Sequence, residues 1–315
     1  MTLKHTTASL LGLPYNAILK LLPDALQDKI RMARARRGAK RYMTRLIKKQ
    51  LGYTINLENP KTYCEKIQWL KFNHIEHDEK IIARADKYKV REFITSKGFG
   101  EHLVKLYDVW DNAEDIDWDD LPETFVLKTN NGSGKAYRWF CEDKSSFPKQ
   151  EFIRDANDKL TTRYGQYAGE FHYGKMPPKI IAEEYLVDGT EDIKDYKFYC
   201  FHGKVAFLSA ETGGLRGERV ADYYDVNWNR SHVRFFDDPP PVIPFDKPQT
   251  LNDMVDMAEN LSKGYPHIRV DLYSISNRIY FGELTYTPEN GVTFWDPPSL
   301  DLEYGNLMDI NDINH

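Results

Sequence analysis

Apolar positions along the chain follow two repeats, one with the three-to-four spacing of a helix face and one alternating, with helical patterns in front and strand patterns behind. NPKTYCEKIQWLKFNH (Asn59 to His74) sets Ile67, Trp69 and Leu70 near helical spacing behind an Asn-Pro start, which predicts a packed helix. ARADKYKVREFITSKGFG ends in Gly-Phe-Gly, a helix stop before a short strand expected at Leu103 to Tyr107. The acidic stretch Asp111 to Asp120 reads as a solvated loop. TFVLKT (Thr124 to Thr129), KIIAEEYL, YKFYCFHGKVAFLSA, HIRVDLY and RIYFGELTY then predict strands. DDPPPVIPFDKPQ (Asp237 to Gln249) is a connector, because its prolines remove ladder donors. In LNDMVDMAENLSKG, Met254, Met257, Ala258 and Leu261 share one helical face, so a helix precedes the last strands.

With 315 residues, 41% of them hydrophobic and 13% aromatic, the chain can bury one large core or two joined ones. A net charge of −5 argues against a surface built for nucleic acid, and no nucleic-acid partner is expected. Cys64, Cys141 and Cys200 lie far apart without CxxC spacing, which suits a reducing cytoplasm better than a disulfide or zinc framework. Pro14, Asn16 and Lys20 interrupt the apolar stretch Leu10 to Leu22, and no segment reaches membrane-spanning length. From Asp28 to Gln50 ten basic residues accompany a single acid, broken at Gly38, which predicts one or two basic helices. Such a run is a solvated face, or, over residues 29–49, a contact for an anionic membrane face or polyanionic substrate.

Two places carry candidate chemistry. TFVLKT delivers Lys128 just before Asn130-Asn131-Gly132-Ser133-Gly134, a cation beside a loop whose amides can approach phosphate oxygens. No GK[ST] closes the glycines, so this is not a Walker loop, and an ordinary hairpin turn is the plain alternative. IRVDLYSISNRIYFGELTY reads as two strands joined around Ser276-Asn277, with Asp271 opposite Glu283. Arg269, Asp271, Glu283 and Thr285 then share a face, with Val270, Leu272 and Leu284 on the other. Opposed carboxylates repel, so a cation belongs between them: magnesium completed by nucleotide phosphates, or Arg269 in a salt-bridged cluster. Glu183-Glu184 ends a strand near a nucleotide or in solvent, and Asp195 and Lys197 share a face of the next strand. The histidines show no metal spacing, and no nucleophilic triad can be assembled.

In order, Asp86-Lys87, FVLKTNNGSG, IIAEEYL, DYKFY and RVDLY…YFGELTYTP resemble the ATP-grasp superfamily over roughly residues 80–298. NPKTYCEKIQWLKF, ADKYKVREF and FGELTYTPENG are similar to its TupA-like, teichuronopeptide-biosynthesis-like members. The resemblance implies an α+β ATP-grasp fold, two subdomains gripping ATP between antiparallel sheets, behind a short, mainly helical N-terminal region. The expected segments are a basic helical extension (1–57), a helical region (58–122), a small subdomain with the glycine-rich loop (123–186) and a large one with the metal site (187–315). Lys87 and Lys128 would meet ATP phosphates, and the loop Asn130, Asn131, Gly132, Ser133, Gly134 and Lys135 would close over them. Glu183, Glu184, Tyr185 and Leu186 would form the adenine hinge and Asp195 would meet the ribose. Lys197 would lie near phosphate or substrate, and Arg269 would stabilise the transferring phosphoryl group. Asp271 and Glu283 would hold Mg2+ with Thr285, where most of the superfamily has asparagine.

The implied activity is an ATP-dependent carboxylate–amine ligase working through an acyl phosphate, set by the resemblance in modification of a bacterial surface polysaccharide bearing a uronic-acid or amino-acid carboxylate. It would be cytoplasmic, or peripheral at the inner membrane face. A kinase on the same scaffold is the alternative, and a glycosyltransferase or glycan-binding protein ranks below it because no DxD-type motif is evident.

Overall fold

The computed structural model describes residues 38–162, 164–187, 193–213, 219–231, 233–235 and 243–311, together with 27, 30, 241 and 313. The stretch Leu10 to Leu22, all of Asp28 to Arg37 except Ile30, Asp188-Gly189, Asp237 to Pro240 and Val242 lie outside the described residues.

Of the basic segment, the described part forms helix α1 (Ala39–Leu51), which buries Ala39, Met43 and Ile47 and ends at Gly52 in the left-handed conformation. Helix α2 (Tyr63–Leu70) starts at Thr62 rather than at Asn59-Pro60: Thr62 and Glu65 form a capping box, and the Glu65 carboxylate also accepts from the amides of Asn56 and Lys61 at 2.7 and 2.8 Å. α2 continues into one π-helical turn, Lys71–Ile75. Helices α3 (Glu79–Ala85) and α4 (Val90–Ser96) follow, the first capped by Asp78.

The strand expected at 103–107 is displaced to β1 (Leu106–Trp110), because Leu103 instead bridges Phe281 of a distant strand. β1 joins β2 (Phe125–Thr129), β3 (Arg138–Cys141) and β4 (Ile180–Glu183) in an antiparallel sheet ordered β1-β4-β2-β3, so this sheet begins inside the segment expected to be helical. Helix α5 (Lys149–Thr161) seals one side, placing Phe152 and Ala156 against Phe125, Leu127, Ile180 and Ala182.

The larger sheet contains β5 (Asp195–Phe201), β6 (Lys204–Thr212), β7 (Val220–Tyr224), β9 (His267–Ile275) and β10 (Arg278–Thr285), ordered β10-β9-β5-β6-β7. A short pair, β8 (Arg234–Phe235) with β11 (Trp295–Asp296), lies beside it. Helix α6 (Leu251–Leu261) buries the expected stripe of Met254, Met257, Ala258 and Leu261. Tyr63, Cys64, Ile67 and Leu70 of α2 share one core with Phe198, Phe207 and Val270 of the sheet and Leu300 and Tyr304 of helix α7 (Leu300–Asn306). The front helices are therefore built into the large unit, and their position is set by the same apolar burial that stabilises the sheet.

Gly305 of α7 lies where an added Cβ would meet the Lys61 carbonyl oxygen at 2.2 Å and Thr62 Cα at 2.8 Å. Gly305→Ala should lower unfolding free energy by about 1–3 kcal/mol through overpacking, read as a lower denaturant midpoint with unchanged slope.

Candidate active site

The β9–β10 hairpin turns on Ser276 and Asn277, both at positive φ (51° and 62°), the pattern of a tight primed turn. Pairing starts with Arg278 opposite Ile275 and would bring Asp271 opposite Gly282, but a bulge between Phe281 and Glu283 shifts the register. Beyond it Asp271 faces Glu283 and Arg269 faces Thr285. Gly282 suits the bulge, since a Cβ there would lie 2.9 Å from the Asp271 carbonyl oxygen. The pairing expected from sequence is thus reached through a bulge and not through a plain hairpin.

On the other side of β9, β5 aligns Asp195 with Tyr273, Lys197 with Asp271 and Tyr199 with Arg269, while β6 sets Glu211 opposite Asp195. Charged groups therefore lie in successive rows on one sheet face. Lys197 pairs with Asp195, with Asp271 at 3.2 Å and with Glu211 at 3.9 Å. Arg219 closes on Glu211 at 2.8 Å. Arg269 forks onto Asp271 with two bonds of 2.7 Å and reaches Glu283 at 3.2 Å and the Thr285 hydroxyl at 3.1 Å. Burial opposes ionisation of Glu283, yet Lys87, Arg269 and Lys197 hold its carboxyl down to about 2. Glu211 is likewise held at about 2, Lys197 and Arg219 outweighing burial. Burial pushes Asp195 up to about 6 despite Lys197, with Asp271 and Glu211 adding to the rise.

The small sheet supplies the opposite wall. Glu183 is buried (6% exposed), not a solvated strand end, and pairs with Lys128 at 2.8 Å and Arg91 at 3.3 Å. The glycine-rich segment is the loop of the β2–β3 hairpin. At Gly132 an added Cβ would stand 2.0 Å from the Tyr137 ring, and Gly134 has φ +84°. Lys87 straps the loop down, donating to the Gly132 carbonyl at 2.5 Å, and lies 3.8 Å from Glu283 across the gap.

Between these walls runs a cleft of ≈ 380 Å³, within the usual range for ligand sites. It is lined by Lys87, Lys128, Gly132, Ser133, Gly134, Glu183, Glu184, Tyr185, Leu186, Asp195, Lys197, Arg269, Asp271 and Glu283 of the residues expected from sequence. Asn130, Asn131, Lys135 and Thr285 are not in its wall. Asn130 is committed to the fold, donating to Asp86 at 2.8 Å and Pro177 at 3.0 Å and accepting from the Lys179 amide at 2.7 Å. Arg91, Arg138, Phe140, Glu211, Arg219 and Tyr273 also line the cleft and escaped the sequence reading. Glu211 was hidden by register: folding YKFYCF back on KVAFLSAET about His202-Gly203 would set Ala210 opposite Asp195, and a bulge between Tyr199 and Cys200 brings Glu211 there instead. Two buried acceptors, Asn131 Oδ1 and Asp195 Oδ1, have no hydrogen-bond partner among the described residues.

The model of the TupA-like ATP-grasp family matches residues 65–309, most of the chain and both walls of the cleft. The chain belongs to this family. No curated protein matches it. Among solved structures, this ATP-grasp protein is similar to D-alanine–D-alanine ligase from Bacillus anthracis, at 16% identity over 74% of this chain and 68% of that one with TM-score 0.43. It is also similar to biotin carboxylase from Campylobacter jejuni in complex with β-γ-ATP, at 13% identity over 75% of this chain and 48% of that one with TM-score 0.48. L-amino acid ligase from Bacillus licheniformis is a further match, at 13% identity over 67% and 43% of the two chains with TM-score 0.39.

For magnesium, the ATP-grasp cleft offers Asp271 and an ionised Glu283 as hard oxygen donors on one guanidinium. Among the described residues no three His, Cys, Asp or Glu side chains form a preformed cage. Two carboxylates suit an ion that takes the rest of its shell from phosphate oxygens and water. No described helix is long and apolar enough to cross a membrane.

Glu211→Gln tests the charge rows. Because the folded carboxyl titrates near 2, below its ordinary value of 4.5, its stabilisation is present above pH 4.5 and lost as pH falls towards 2. The variant should lose roughly 1–3 kcal/mol at pH 7 by urea unfolding and show a shallower acid limb between those values.

Proposed function

We propose that the protein is an ATP-dependent ligase that activates a carboxylate as an acyl phosphate and joins it to an amine. The single observation that carries this reading is the arrangement of Lys87, Lys197 and Arg269 around Asp271 and Glu283 opposite a glycine hairpin, inside a family-matched cleft. A carboxylate resists amines because oxide is a poor leaving group; phosphate leaves readily. The work left to the protein is to position the reactants and to meet charge on the transferring phosphoryl group.

Lys128 and Lys87 meet ATP phosphates, with the Gly132–Gly134 amides as further donors. The strand end Glu183–Leu186 takes the adenine, with Phe140 as an apolar wall. Asp195, whose Oδ1 is free among the described residues, accepts from the ribose. Arg269, fixed by its fork on Asp271, stabilises charge at the transferring phosphoryl, and Lys197 steadies the same row. Asp271 and Glu283, with Thr285 behind them, would hold magnesium, which would supply Lewis-acid chemistry at the phosphate. Tyr137 beneath Gly132 shapes the loop that keeps water from the acyl phosphate.

The finer reading is a carboxylate or amine carried on an anionic surface polysaccharide. It is supported by α1, which exposes Lys40, Arg41, Arg45, Lys48 and Lys49 while its buried face packs with Phe72, Ala168 and Val292.

The decisive assay is ATP turnover with a panel of uronic acids and amino acids. A ligase releases ADP and phosphate with an amine present and traps hydroxylamine as a hydroxamate; a kinase releases no free phosphate. Glu283→Gln should lower turnover by about 10²-fold or more, with a fall in melting temperature like that of Glu211→Gln because the ion pairs with Lys87 and Arg269 are lost, and free phosphate absent under all conditions would refute the ligase. Replacing Lys40, Arg41, Arg45 and Lys48 by Gln should cut kcat/KM on an acidic polysaccharide about tenfold at low salt and leave a monosaccharide analogue within twofold.

A further inference from the structure

The turn after β10 holds two successive non-glycine residues in the left-handed region, Glu289 (φ 48°, ψ 29°) and Asn290 (φ 56°, ψ 22°). L side chains disfavour that conformation, and it persists only where the surroundings impose it. Here α2 and the π-turn impose it. Gln68 Nε2 donates to the carbonyls of Asn290 at 2.8 Å and Gly291 at 3.1 Å, and Lys71 Nζ donates to the Asn290 carbonyl at 3.0 Å and its Oδ1 at 2.6 Å. Both supporting side chains are fully buried. Gly291 completes the clamp, since a Cβ there would lie 2.6 Å from Ile67 Cγ2. Burying an amide and an ammonium to hold one turn is a heavy structural commitment, and its product is the place of Glu289.

That place is specific. Arg269 spends Nε and Nη2 on Asp271, Glu283 and Thr285, and its remaining Nη1 meets Glu289 Oε1 at 3.5 Å, the limit of a hydrogen bond. Along β9 the rows run from Tyr273 beside Asp195, through Asp271 beside Lys197, to Arg269 beside Tyr199. Glu289 therefore follows the last charged row, on the far side of Arg269 from Asp271 and from the Asp195 end. Its side chain is 39% exposed, against 9% for Arg269. A weakly engaged, accessible carboxylate past the phosphoryl-stabilising arginine is suited to a cation arriving from the end opposite the nucleotide.

We propose that Glu289 is the binding residue for the second substrate, accepting hydrogen bonds from an ammonium group, so that the acceptor is a primary amine that enters as a cation and is held beside Arg269. This rests on the ligase reading and names its acceptor class. The alternative is a counter-charge that merely steadies Arg269.

The two are separated by comparing a neutral nucleophile with cationic ones in Glu289→Gln. At pH 7.5 hydroxylamine is neutral, so hydroxamate formation reports activation of the carboxylate without needing an ammonium site; glycine, L-alanine and L-lysine enter charged. With glucuronic acid or the best carboxylate of the panel, the variant should keep hydroxamate formation within twofold of wild type. Its kcat/KM for the amino-acid amines should fall at least tenfold, mainly through KM. Parallel loss of both reactions, or loss of neither, overturns the inference while leaving the ligase in place. No hydroxamate from the wild-type protein overturns the ligase reading and this inference with it. Glu289→Gly, which suits left-handed backbone, should show the same selective loss at an equal or higher melting temperature, and a lower one would mark the side chain as structural.

Discussion

Buried Arg269 and its carboxylate partners organise this molecule. A guanidinium that is 8% exposed is tolerable only with its donors satisfied, and Asp271, Glu283, Thr285 and Glu289 between them engage Nε, Nη1 and Nη2. Removing Asp271, the buried bidentate partner, would leave an uncompensated charge worth about 3–5 kcal/mol, whereas Glu289, more exposed and at 3.5 Å, contributes little to that balance. The same geometry that avoids that cost gathers acids and bases on one sheet face opposite a glycine hairpin. Satisfying the ion pairs and building the cleft are one constraint.

The constraint acts through register. Asp271 reaches Glu283 because the bulge at Gly282 shifts β10 by one residue after the Ser276-Asn277 turn; without it Glu283 would pass to the apolar face and Arg269 would lose an anion. Lys197 reaches Asp271 through the unbroken pairing of β5 with β9. Lys87 reaches Glu283 from a different layer, at the turn between α3 and α4, where Asp86 accepts from the amides of Tyr88 and Lys89 at 2.8 and 3.1 Å. Three separate pieces of backbone thus converge on one half-buried carboxylate, which explains why Glu283 stays ionised.

Much of this was legible in the residues. β9 and β10 alternate around a Ser-Asn turn, β2 and β4 are short apolar runs bounded by Pro, Asn or Gly, and α6 carries a full apolar stripe, so their places could be read from pattern. The segment 138–161 left a fainter trace: β3 is four residues long, and α5 buries only Phe152 and Ala156, too few to draw a stripe. β1 slipped by three residues because Leu103, apolar and apparently strand-like, is used for a bridge to Phe281 instead. In the site, residues beside a recognisable motif were legible, whereas Arg91, Arg138 and Arg219 were not. Their role comes from which acid or cleft wall the tertiary fold sets them against, and a lone arginine on a short element carries no periodic signal.

The front helices join these points. The pattern places α2 as an amphipathic packed helix, and its apolar side does what that predicts, filling the core under β5 and β9. Its polar Gln68, and Lys71 of the π-turn that continues it, would read as surface in any helical wheel, yet both are fully buried and hold the left-handed turn at Glu289 and Asn290. Burial lowers the Lys71 ammonium to about 7, with Glu170 the opposing charge. A buried ammonium kept on a main-chain carbonyl is a poor choice for stability alone, since an apolar residue there would avoid desolvation. What it secures is conformation: the strained turn stays closed, and the last carboxylate in the row stays beside Arg269. In this protein, polar burial in the front region is therefore best understood from the turn beside Arg269, which it positions across more than two hundred residues of chain.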